Sequence, residues 1–231
     1  MPKVSQQYFD NKKDSILQAA LNICKTKPIY EVTMKDIIRE CNISQGGIYR
    51  YYSDIDEILV EVINRCNPNS DYKQKIDNII KTSNSHKESI DRLFNFMGLY
   101  IQENMSTLGK MLFELTVLMA NHPSRGRKIQ SQINDGQSSE YFIKEVYRTV
   151  HEGISSGSFN PLIPENDILT FISIAIDGIA VNGVLLNSYG VPQRGEIPFN
   201  IINLFNTFKT SVSLLLNPDD DKKELLRYEE K

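Results

Sequence analysis

A polar and aromatic cluster between positions 44 and 51 holds the side chains of this chain best suited to bind another molecule. Ser44 is followed by Gln45 and two adjacent glycines, and Tyr49, Arg50 and Tyr51 come after them. An amide, a guanidinium and phenol rings bind a partner through hydrogen bonds, charge and stacking. The cluster therefore indicates recognition rather than bond-breaking chemistry.

The rest of the chain offers little for catalysis. Its three histidines, His86, His122 and His151, stand apart from one another without metal-ligand spacing. The sequence also lacks a Gly-rich phosphate loop and a nucleophile elbow. A small helical enzyme is thus the weaker competing class, and we expect no cofactor and no metal site.

The elements before the cluster must hold it at a surface. Apolar residues at helical spacing predict a first helix from Ile16 to beyond Cys24, and Pro28 should stop that helix. Thr33 is a good N-cap for a short second helix that places its apolar groups on one side. One face of each helix is therefore available for packing.

A tight turn joins the second helix to the cluster. Asn42 tolerates the left-handed backbone conformation, so residues 41–43 are predicted to form the turn, and Ser44 caps a third helix that runs to about Tyr51. A fourth helix over about 54–66 follows Ser53. Two short helices joined by a three-residue turn, with a supporting helix on each side, make a helix-turn-helix.

Two adjacent glycines inside a short helix need an explanation. Gly46 and Gly47 each cost about 1 kcal/mol relative to Ala. A helix face without side chains can approach a duplex backbone closely, which is our interpretation. The alternative is that the glycines merely fray a short turn.

These segments closely resemble the signature of the tetracycline-repressor (TetR) family. The resemblance rests on Thr33-Met34-Lys35-Asp36-Ile37 and on Ile43-Ser44-Gln45-Gly46-Gly47-Ile48-Tyr49-Arg50-Tyr51-Tyr52. The blocks Ile16-Leu17-Gln18-Ala19-Ala20 and Asp56-Glu57-Ile58-Leu59 also fit, so the match covers about residues 14 to 60. Beyond residue 65 the resemblance is architectural.

The resemblance implies sequence-specific binding to double-stranded DNA. Gln45 becomes the main candidate for reading base edges, because its amide can donate and accept in a major groove. Tyr49 and Tyr51 would press their rings on sugar or thymine methyl groups while their hydroxyls meet phosphate. A core role is the alternative for Tyr49, and Tyr52 is assigned to the core. The predicted DNA-binding residues are Thr33, Lys35, Ser44, Gln45, Gly46, Gly47, Tyr49, Arg50 and Tyr51.

The sequence departs from the family pattern at three positions. Gly47 stands where the family usually has a hydroxyl-bearing or small residue, and Ile55 stands where it has a phosphate-binding lysine. Ile38 replaces a typically small residue. The departures at Gly47 and Ile55 put ordinary DNA affinity in question, and Ile38 predicts a slightly wider crossing of the two short helices.

The remainder of the chain also has helical patterns, so the predicted class is all-α with about nine helices. We expect a helix-turn-helix domain over residues 1–53, a connecting fourth helix, and a larger helical domain over 67–231 for effector binding and dimerisation.

A reader of one DNA half-site makes few base contacts, so we expect a homodimer on a palindromic operator. The two most apolar helices, about 165–189 and 199–216, are the predicted interface, with an intramolecular core as the alternative. The predicted interface residues are Ala175, Gly178, Ala180, Gly183, Phe199, Ile202, Phe205 and Phe208.

The family resemblance further implies a cavity between the middle helices for a small effector. Most apolar residues at helical spacing are core, and the polar Asp177 and Asn182 need partners that could be interfacial instead. The candidate lining residues are Phe94, Met97, Ile101, Leu112, Leu115, Met119, Tyr141, Tyr147 and Asp177.

Charge and composition favour a cytoplasmic protein. The net charge of −3 divides into +3 over residues 1–53, from eight basic and five acidic side chains, and −6 over the rest. The polar N-terminus is unlike a secretory signal, and the apolar run over 171–186 is taken as too short to span a membrane. The chain has three cysteines, an odd number that does not suggest a set of disulfides. We interpret them as core residues, with a thiol sensor as the alternative.

The functional prediction is a repressor that an apolar or amphipathic ligand releases from its operator. Two alternatives remain open: a transcriptional activator, and a helix-turn-helix scaffold that binds protein without responding to a ligand.

Overall fold

The described residues of the computed structural model are 6–66, 69–134, 138–192 and 198–216, and every regular element within them is a helix. The predicted all-α class is confirmed. The helices are α1 (Gln6–Thr26), α2 (Met34–Cys41), α3 (Gln45–Ile48), α4 (Ile55–Cys66), α5 (Asn69–Thr82), α6 (His86–Asn104), α7 (Lys110–Asn121), α8 (Pro123–Gln130), α9 (Ser138–Ser155), α10 (Glu165–Tyr189) and α11 (Ile201–Leu216).

The chain forms two compact units. The first unit contains α1 to α4 together with α7 and α8, and the second contains α5, α6 and α9 to α11. The chain passes between them three times, at 68/69, at 105/106 and at 136/137, and the second passage lies within a π-helical segment, Met105–Gly109. The structural unit around α2 and α3 thus also includes residues 106–136, whereas the functional division at residues 53 and 67 stays a prediction.

α8 is the helix that the sequence interpretation omitted. His122-Pro123 reads as a stop after α7, yet Pro123 is the first residue of α8. Proline suits that position because the first helical N–H has no partner within the helix and the ring already holds φ near its helical value. Ile129 of α8 is fully buried in the core of the first unit.

The core of the first unit joins α7 to the N-terminal helices. Ile16, Ala20, Ile37 and Ile48 lie in the same buried cluster as Leu115 of α7. Leu112 and Met119 pack against that cluster from partly exposed positions. Three of the nine predicted effector-lining residues therefore belong to the core that supports α2 and α3.

The other six lining candidates lie in the second unit, so the nine are divided between the two units. Phe94 and Met97 are buried, whereas Asp177 is exposed. The hydroxyl of Tyr147 donates to the Leu169 carbonyl at 3.1 Å, and that of Tyr141 donates to Asp77. Ile101 is half-buried. A small surface pocket in this unit is bordered by none of the nine; its lining is Lys87, Ile90, Phe159, Ser213 and Leu216.

The interior of the second unit uses several residues that were predicted to meet a partner subunit. Phe208 stacks on Phe94 with ring centroids 4.9 Å apart. A Cβ at Gly98 would lie 3.1 Å from the Phe205 side chain, and one at Gly183 would collide with the Met105 sulfur. Phe205, Phe208 and Gly183 are therefore packed inside their own unit, and their assignment to a dimer interface is corrected.

α10 nevertheless keeps an open apolar stripe. Phe171, Ile174 and Val181 are 40%, 66% and 38% exposed, and the half-buried Gly178 has open space beside it. Residues spaced 3, 4 and 3 apart lie on one helix face. Ala175 and Ala180 on α10 are half-buried, as are Phe199 and Ile202.

Length does not exclude α10 from a membrane, contrary to the expectation from its apolar run. The helix has 25 residues. Among the described residues it is the one helix long and apolar enough to cross a bilayer, by length and composition alone.

The cysteines behave as core residues rather than as reactive thiols. Cys24 is 2% exposed, and desolvation by burial raises its pKa to about 12. Burial also raises the pKa values of Cys41 and Cys66. A thiol with a raised pKa is protonated at neutral pH and reacts slowly.

A buried ion pair fastens α7 to the end of α1. The side chains of Lys110 and Glu114 are 4% and 1% exposed and bind each other. Lys110 Nζ donates to the Cys24 carbonyl at 2.8 Å, and Glu114 Oε2 accepts the Ile29 amide at 3.0 Å. The pair thus satisfies a carbonyl in the last turn of α1 and the first amide of the 3-10 turn Ile29–Glu31 that follows it.

Removing one member of this pair should destabilise the first unit strongly. We expect Lys110→Met to lower the free energy of unfolding by about 3–5 kcal/mol, because it leaves a carboxylate buried without its cation. Lys110→Met/Glu114→Leu should lose less than Lys110→Met alone, since no buried charge remains. Urea denaturation followed by circular dichroism measures both.

The matched control is Asp14→Asn in the same unit. Asp14 and Arg65 form an ion pair at 2.8 Å whose side chains are 63% and 50% exposed. An exposed pair contributes about 1 kcal/mol or less. A Lys110→Met protein no less stable than the Asp14→Asn protein would contradict the proposed importance of the buried pair.

Candidate nucleic-acid interface

α2 begins with a reciprocal cap at Thr33. The Thr33 hydroxyl oxygen accepts the Asp36 amide at 3.3 Å, and Asp36 Oδ2 accepts the Thr33 amide at 2.9 Å. The hydroxyl also donates to Asp36 Oδ2 at 2.8 Å, so its proton is already used. In the structure Thr33 caps α2, and its predicted place at the DNA interface stays a prediction.

Asp36 is held in its charged form. Lys27 Nζ lies 2.7 Å from Asp36 Oδ2, and this bond, together with those from Thr33, lowers the pKa of Asp36 to about 2. The cap of α2 therefore keeps its acceptor charge throughout the neutral and mildly acidic range.

The turn between α2 and α3 has the predicted left-handed residue. Asn42 has φ 48° and ψ 44°, and the Ile43 amide bonds back to the Ile38 carbonyl at 3.3 Å. Asparagine accepts this conformation at lower cost than most residues. The position of the turn, and with it the angle between the two helices, is set locally.

α3 is shorter than the sequence indicates. It ends at Ile48, and residues 49–51 form a turn in which the Tyr51 amide bonds to the Ile48 carbonyl at 2.9 Å. Ser44 Oγ accepts the Gly47 amide at 3.1 Å as the N-cap. The hydroxyl proton of Ser44 is not used in that bond and can be donated to an acceptor outside the chain.

The outer surface of α3 and its turn carries most of the predicted recognition residues. Gln45, Gly46, Tyr49 and Arg50 are exposed above Ile48, which is fully buried. Tyr49 is 50% exposed, which argues against the alternative of a core role. Tyr52 is 4% exposed and donates to Glu61 at 2.9 Å, in agreement with its assignment to the core.

The two glycines differ in their surroundings. A Cβ at Gly47 would lie 2.9 Å from Ile43 Cγ1 and 3.0 Å from Ser44 Oγ, whereas a Cβ at Gly46 would meet nothing within 4 Å. Gly47 is thus required by packing inside the turn and cap. The argument for close approach to a duplex now rests on Gly46 alone.

The N-terminus of α4 explains the departure at Ile55. Ile55 is half-buried and packs against the core of the first unit. Asp54 Oδ1 accepts the Glu57 amide at 3.0 Å, so Asp54 rather than Ser53 caps this helix. Arg125 of α8 binds Asp56 through Nε and Nη2 at 3.0 and 2.8 Å. The first turn of α4 is therefore occupied by packing and ion pairs.

Most acidic side chains near the interface are neutralised within the first unit. Asp36 binds Lys27, Glu61 binds Lys13, and Asp56 binds Arg125. Lys35 and Arg50 are exposed and form no ion pair in the part of the chain that the structure describes. These two cations are available to phosphate.

Comparison with known proteins places the same segment in a family of regulators. The family model described as bacterial regulatory proteins, tetR family, matches residues 16–62. The chain is 26% identical over 186 residues to the HTH-type transcriptional regulator YfiR of Bacillus subtilis (strain 168), covering 79% of this chain and 85% of that protein. It is 20% identical over 208 residues to IcaR of Staphylococcus epidermidis, a negative transcriptional regulator of the biofilm operon icaADBC, covering 89% and 97%.

Solved structures share the fold over nearly the whole length. The ketosteroid transcriptional regulator KstR2 of Mycobacterium tuberculosis superposes with a TM-score of 0.58 at 15% identity, covering 94% of this chain and 98% of that one. The fatty acid degradation regulator FadR of Bacillus halodurans gives a TM-score of 0.57 at 16% identity, covering 93% and 96%. The predicted helix-turn-helix followed by a larger helical domain is confirmed.

The two glycines should respond oppositely to alanine. We expect Gly46→Ala to stabilise the protein slightly, by up to about 1 kcal/mol, because alanine favours the helix. If Gly46 faces DNA closely, the same change should weaken DNA binding about tenfold, which corresponds to about 1.4 kcal/mol. Gly47→Ala should instead lower the melting temperature, because its Cβ crowds Ile43. Thermal unfolding and DNA titration measure both; unchanged DNA affinity in Gly46→Ala would exclude close approach there.

Proposed function

Because the chain belongs to the TetR family of bacterial transcriptional regulators, we propose that it is a homodimeric repressor that binds a palindromic operator and is released by a small apolar or amphipathic ligand. It is a DNA-binding regulator and not an enzyme. The operator symmetry, the direction of regulation and the ligand are the proposed elements.

The observation that carries the proposal is the exposed surface over α3. Gln45, Tyr49 and Arg50 project from a short element whose Ile48 is buried and whose preceding turn is fixed by Asn42. Side chains on a firmly held element enter a groove with little ordering cost on binding. This combination is expected of a surface that reads base edges.

Within this surface we assign different roles to the contacts. Gln45 reads a base edge in the major groove, where its amide donates and accepts. Lys35, Arg50 and the Ser44 hydroxyl bind phosphates and so position the reader. Tyr49 stacks on sugar or a thymine methyl group. Thr33 acts indirectly through the cap of α2.

Dimerisation is proposed through the open apolar stripe of α10, extended by α11. Leu204 and Leu214 of α11 are 36% and 40% exposed and would extend the stripe into a larger apolar patch, which is the kind of surface that marks an interaction site. In a twofold dimer, the helix-turn-helix of each subunit binds one half-site. The dimer therefore makes twice the number of DNA contacts that one subunit makes.

Repression and ligand release are proposed from the relatives. IcaR is a negative regulator, and FadR and KstR2 are regulators of fatty acid degradation and of ketosteroids by name. These names guide the first compounds to test, namely fatty acids of graded length and a steroid. Release requires the ligand to bind the DNA-free conformation more tightly than the DNA-bound one.

The test of DNA reading is recovery of genomic fragments by the purified protein at several salt concentrations. We expect the native protein to enrich a palindromic site, and Gln45→Ala/Tyr49→Ala to lose that preference while retaining weak, salt-sensitive binding. Gln102→Ala, an exposed change on α6, is the control and should bind like the native protein. Equal, weak recovery by the native and doubly substituted proteins would favour the protein-binding scaffold instead.

The recovered site then serves to test release. Titration of each compound against the protein on its operator should weaken DNA binding for at least one of them. A transcriptional reporter that rises when the regulator gene is deleted supports repression, whereas one that falls would make the protein an activator.

The test of the interface is the charge substitution Ile174→Glu. We expect the native protein to sediment as a dimer and Ile174→Glu as a monomer with weaker operator binding, because a carboxylate cannot be buried in an apolar interface without a partner. Lys144→Glu, on an exposed position of α9, is the control and should remain dimeric. A dimeric Ile174→Glu protein would move the interface elsewhere.

A further inference from the structure

The first helix extends well beyond the family segment. α1 begins at Gln6, whereas the family model matches from residue 16. The additional turns carry Phe9 on their surface, where it is 37% exposed. Tyr8 beside it is 52% exposed, but Phe9 has no polar group of its own, so its position at the surface needs an explanation from its contacts.

Phe9 contacts the tyrosine that follows α3. The ring centroids of Phe9 and Tyr51 are 4.6 Å apart, with 33° between the ring planes. Tyr51 is half-buried and also packs against the core of the first unit. Its ring is thus bounded both by the core and by the additional turns of α1.

One turn further along the same face, Lys13 contacts the next tyrosine. Lys13 Nζ lies 5.1 Å from the centre of the Tyr52 ring and binds Glu61, which also accepts the Tyr52 hydroxyl. Positions 9 and 13 are four apart and share a helix face. Successive turns of α1 therefore contact both residues of the Tyr51-Tyr52 pair.

The contact with Phe9 restrains the Tyr51 side chain, which the local backbone structure does not fix. Residues 49–51 form a turn rather than helix, so helical packing does not fix the Tyr51 side chain. Tyr52 is anchored through its hydroxyl and its burial. For Tyr51 the described contacts are the core and Phe9.

We propose that Phe9 is a positioning residue of the DNA interface: it holds the Tyr51 ring so that the Tyr51 hydroxyl meets a DNA phosphate. This inference rests on the proposed function of the α3 surface. The role is one of preorganisation, because a ring that is already ordered loses less conformational freedom when DNA binds. Phe9 itself does not touch DNA.

The experiment is a double-mutant cycle on the recovered operator fragment. The variants are Phe9→Ala, Tyr51→Phe and Phe9→Ala/Tyr51→Phe, titrated at three salt concentrations. Each single change should weaken binding about three- to tenfold, the range expected from an aromatic contact or one hydrogen bond. The double variant should bind DNA with the same affinity as whichever single variant binds less tightly. Phe9 matters only because it positions the Tyr51 hydroxyl, so its loss costs nothing more once that hydroxyl is gone.

The salt dependence separates this role from a structural one. Loss of one phosphate contact should reduce the slope of log affinity against log salt by about one in both Phe9→Ala and Tyr51→Phe. Phe9→Tyr should restore both affinity and slope, since it keeps the ring. Asn11→Ala, exposed on the opposite side of the same turns, is the control and should match the native protein.

The outcomes distinguish the inference from the function on which it rests. If the native protein enriches no DNA, the proposed function and the role of Phe9 both fall. If the native protein binds and Phe9→Ala binds equally well, or if the losses from the two single changes multiply, only the positioning role is overturned. If Phe9→Ala does not fold, Phe9→Leu decides, with an unchanged salt slope overturning the proposal.

Discussion

The arrangement of the first unit depends on the buried pair of Lys110 and Glu114. Two charges can remain in a core only when their other hydrogen-bonding groups are also satisfied, and here the backbone around the end of α1 supplies those partners. The bonds fix where α1 ends and where the chain turns toward α2. Lys27, within the same turn, then binds Asp36 in the cap of α2. A continuous set of polar contacts thus runs from α7 to the start of the helix-turn-helix, and any shift of α7 relative to α1 must break the pair or carry residues 24–29 with it.

A second set of contacts joins α4 to α8 and to the residues that follow α8. Arg125 binds Asp56 at the start of α4, while Asn64 near its end donates to the Gln132 carbonyl at 3.0 Å and accepts the Asn134 amide at 2.7 Å. α4 is therefore held at both ends by α8 and the residues that follow it. The compact unit that contains the helix-turn-helix is accordingly α1 to α4 with α7 and α8, which is larger than the segment shared with the family model.

What could be predicted from the sequence was local. The cap at Thr33, the left-handed Asn42 and the apolar spacing around Ile37 each depend on residues a few positions apart, so their types define the helix-turn-helix. Partners distant in sequence could not be predicted in this way. Periodicity indicates that Leu115 and Phe208 are buried, but not that one lies in the core beneath α2 and the other against Phe94. α8 was missed because a proline after a helix is typical both of a helix end and of a new helix start. The role of Phe9 was missed because no pattern in the residues near Phe9 predicts a contact with Tyr51.

Packing contacts within the first unit explain two departures from the family pattern, at Gly47 and Ile55. Gly47 is small because the cap and Ile43 occupy the space of a side chain, and Ile55 is apolar because it packs on the core where α4 begins. At both positions the residue type thus agrees with packing inside the first unit. Positive charge is available at Lys35 and Arg50, while Asp36 and Asp56 are paired with Lys27 and Arg125. If the protein binds an operator as the proposed dimer, the pairing of two DNA-binding units and the ordering of Tyr51 before contact would add affinity beyond what Lys35 and Arg50 supply.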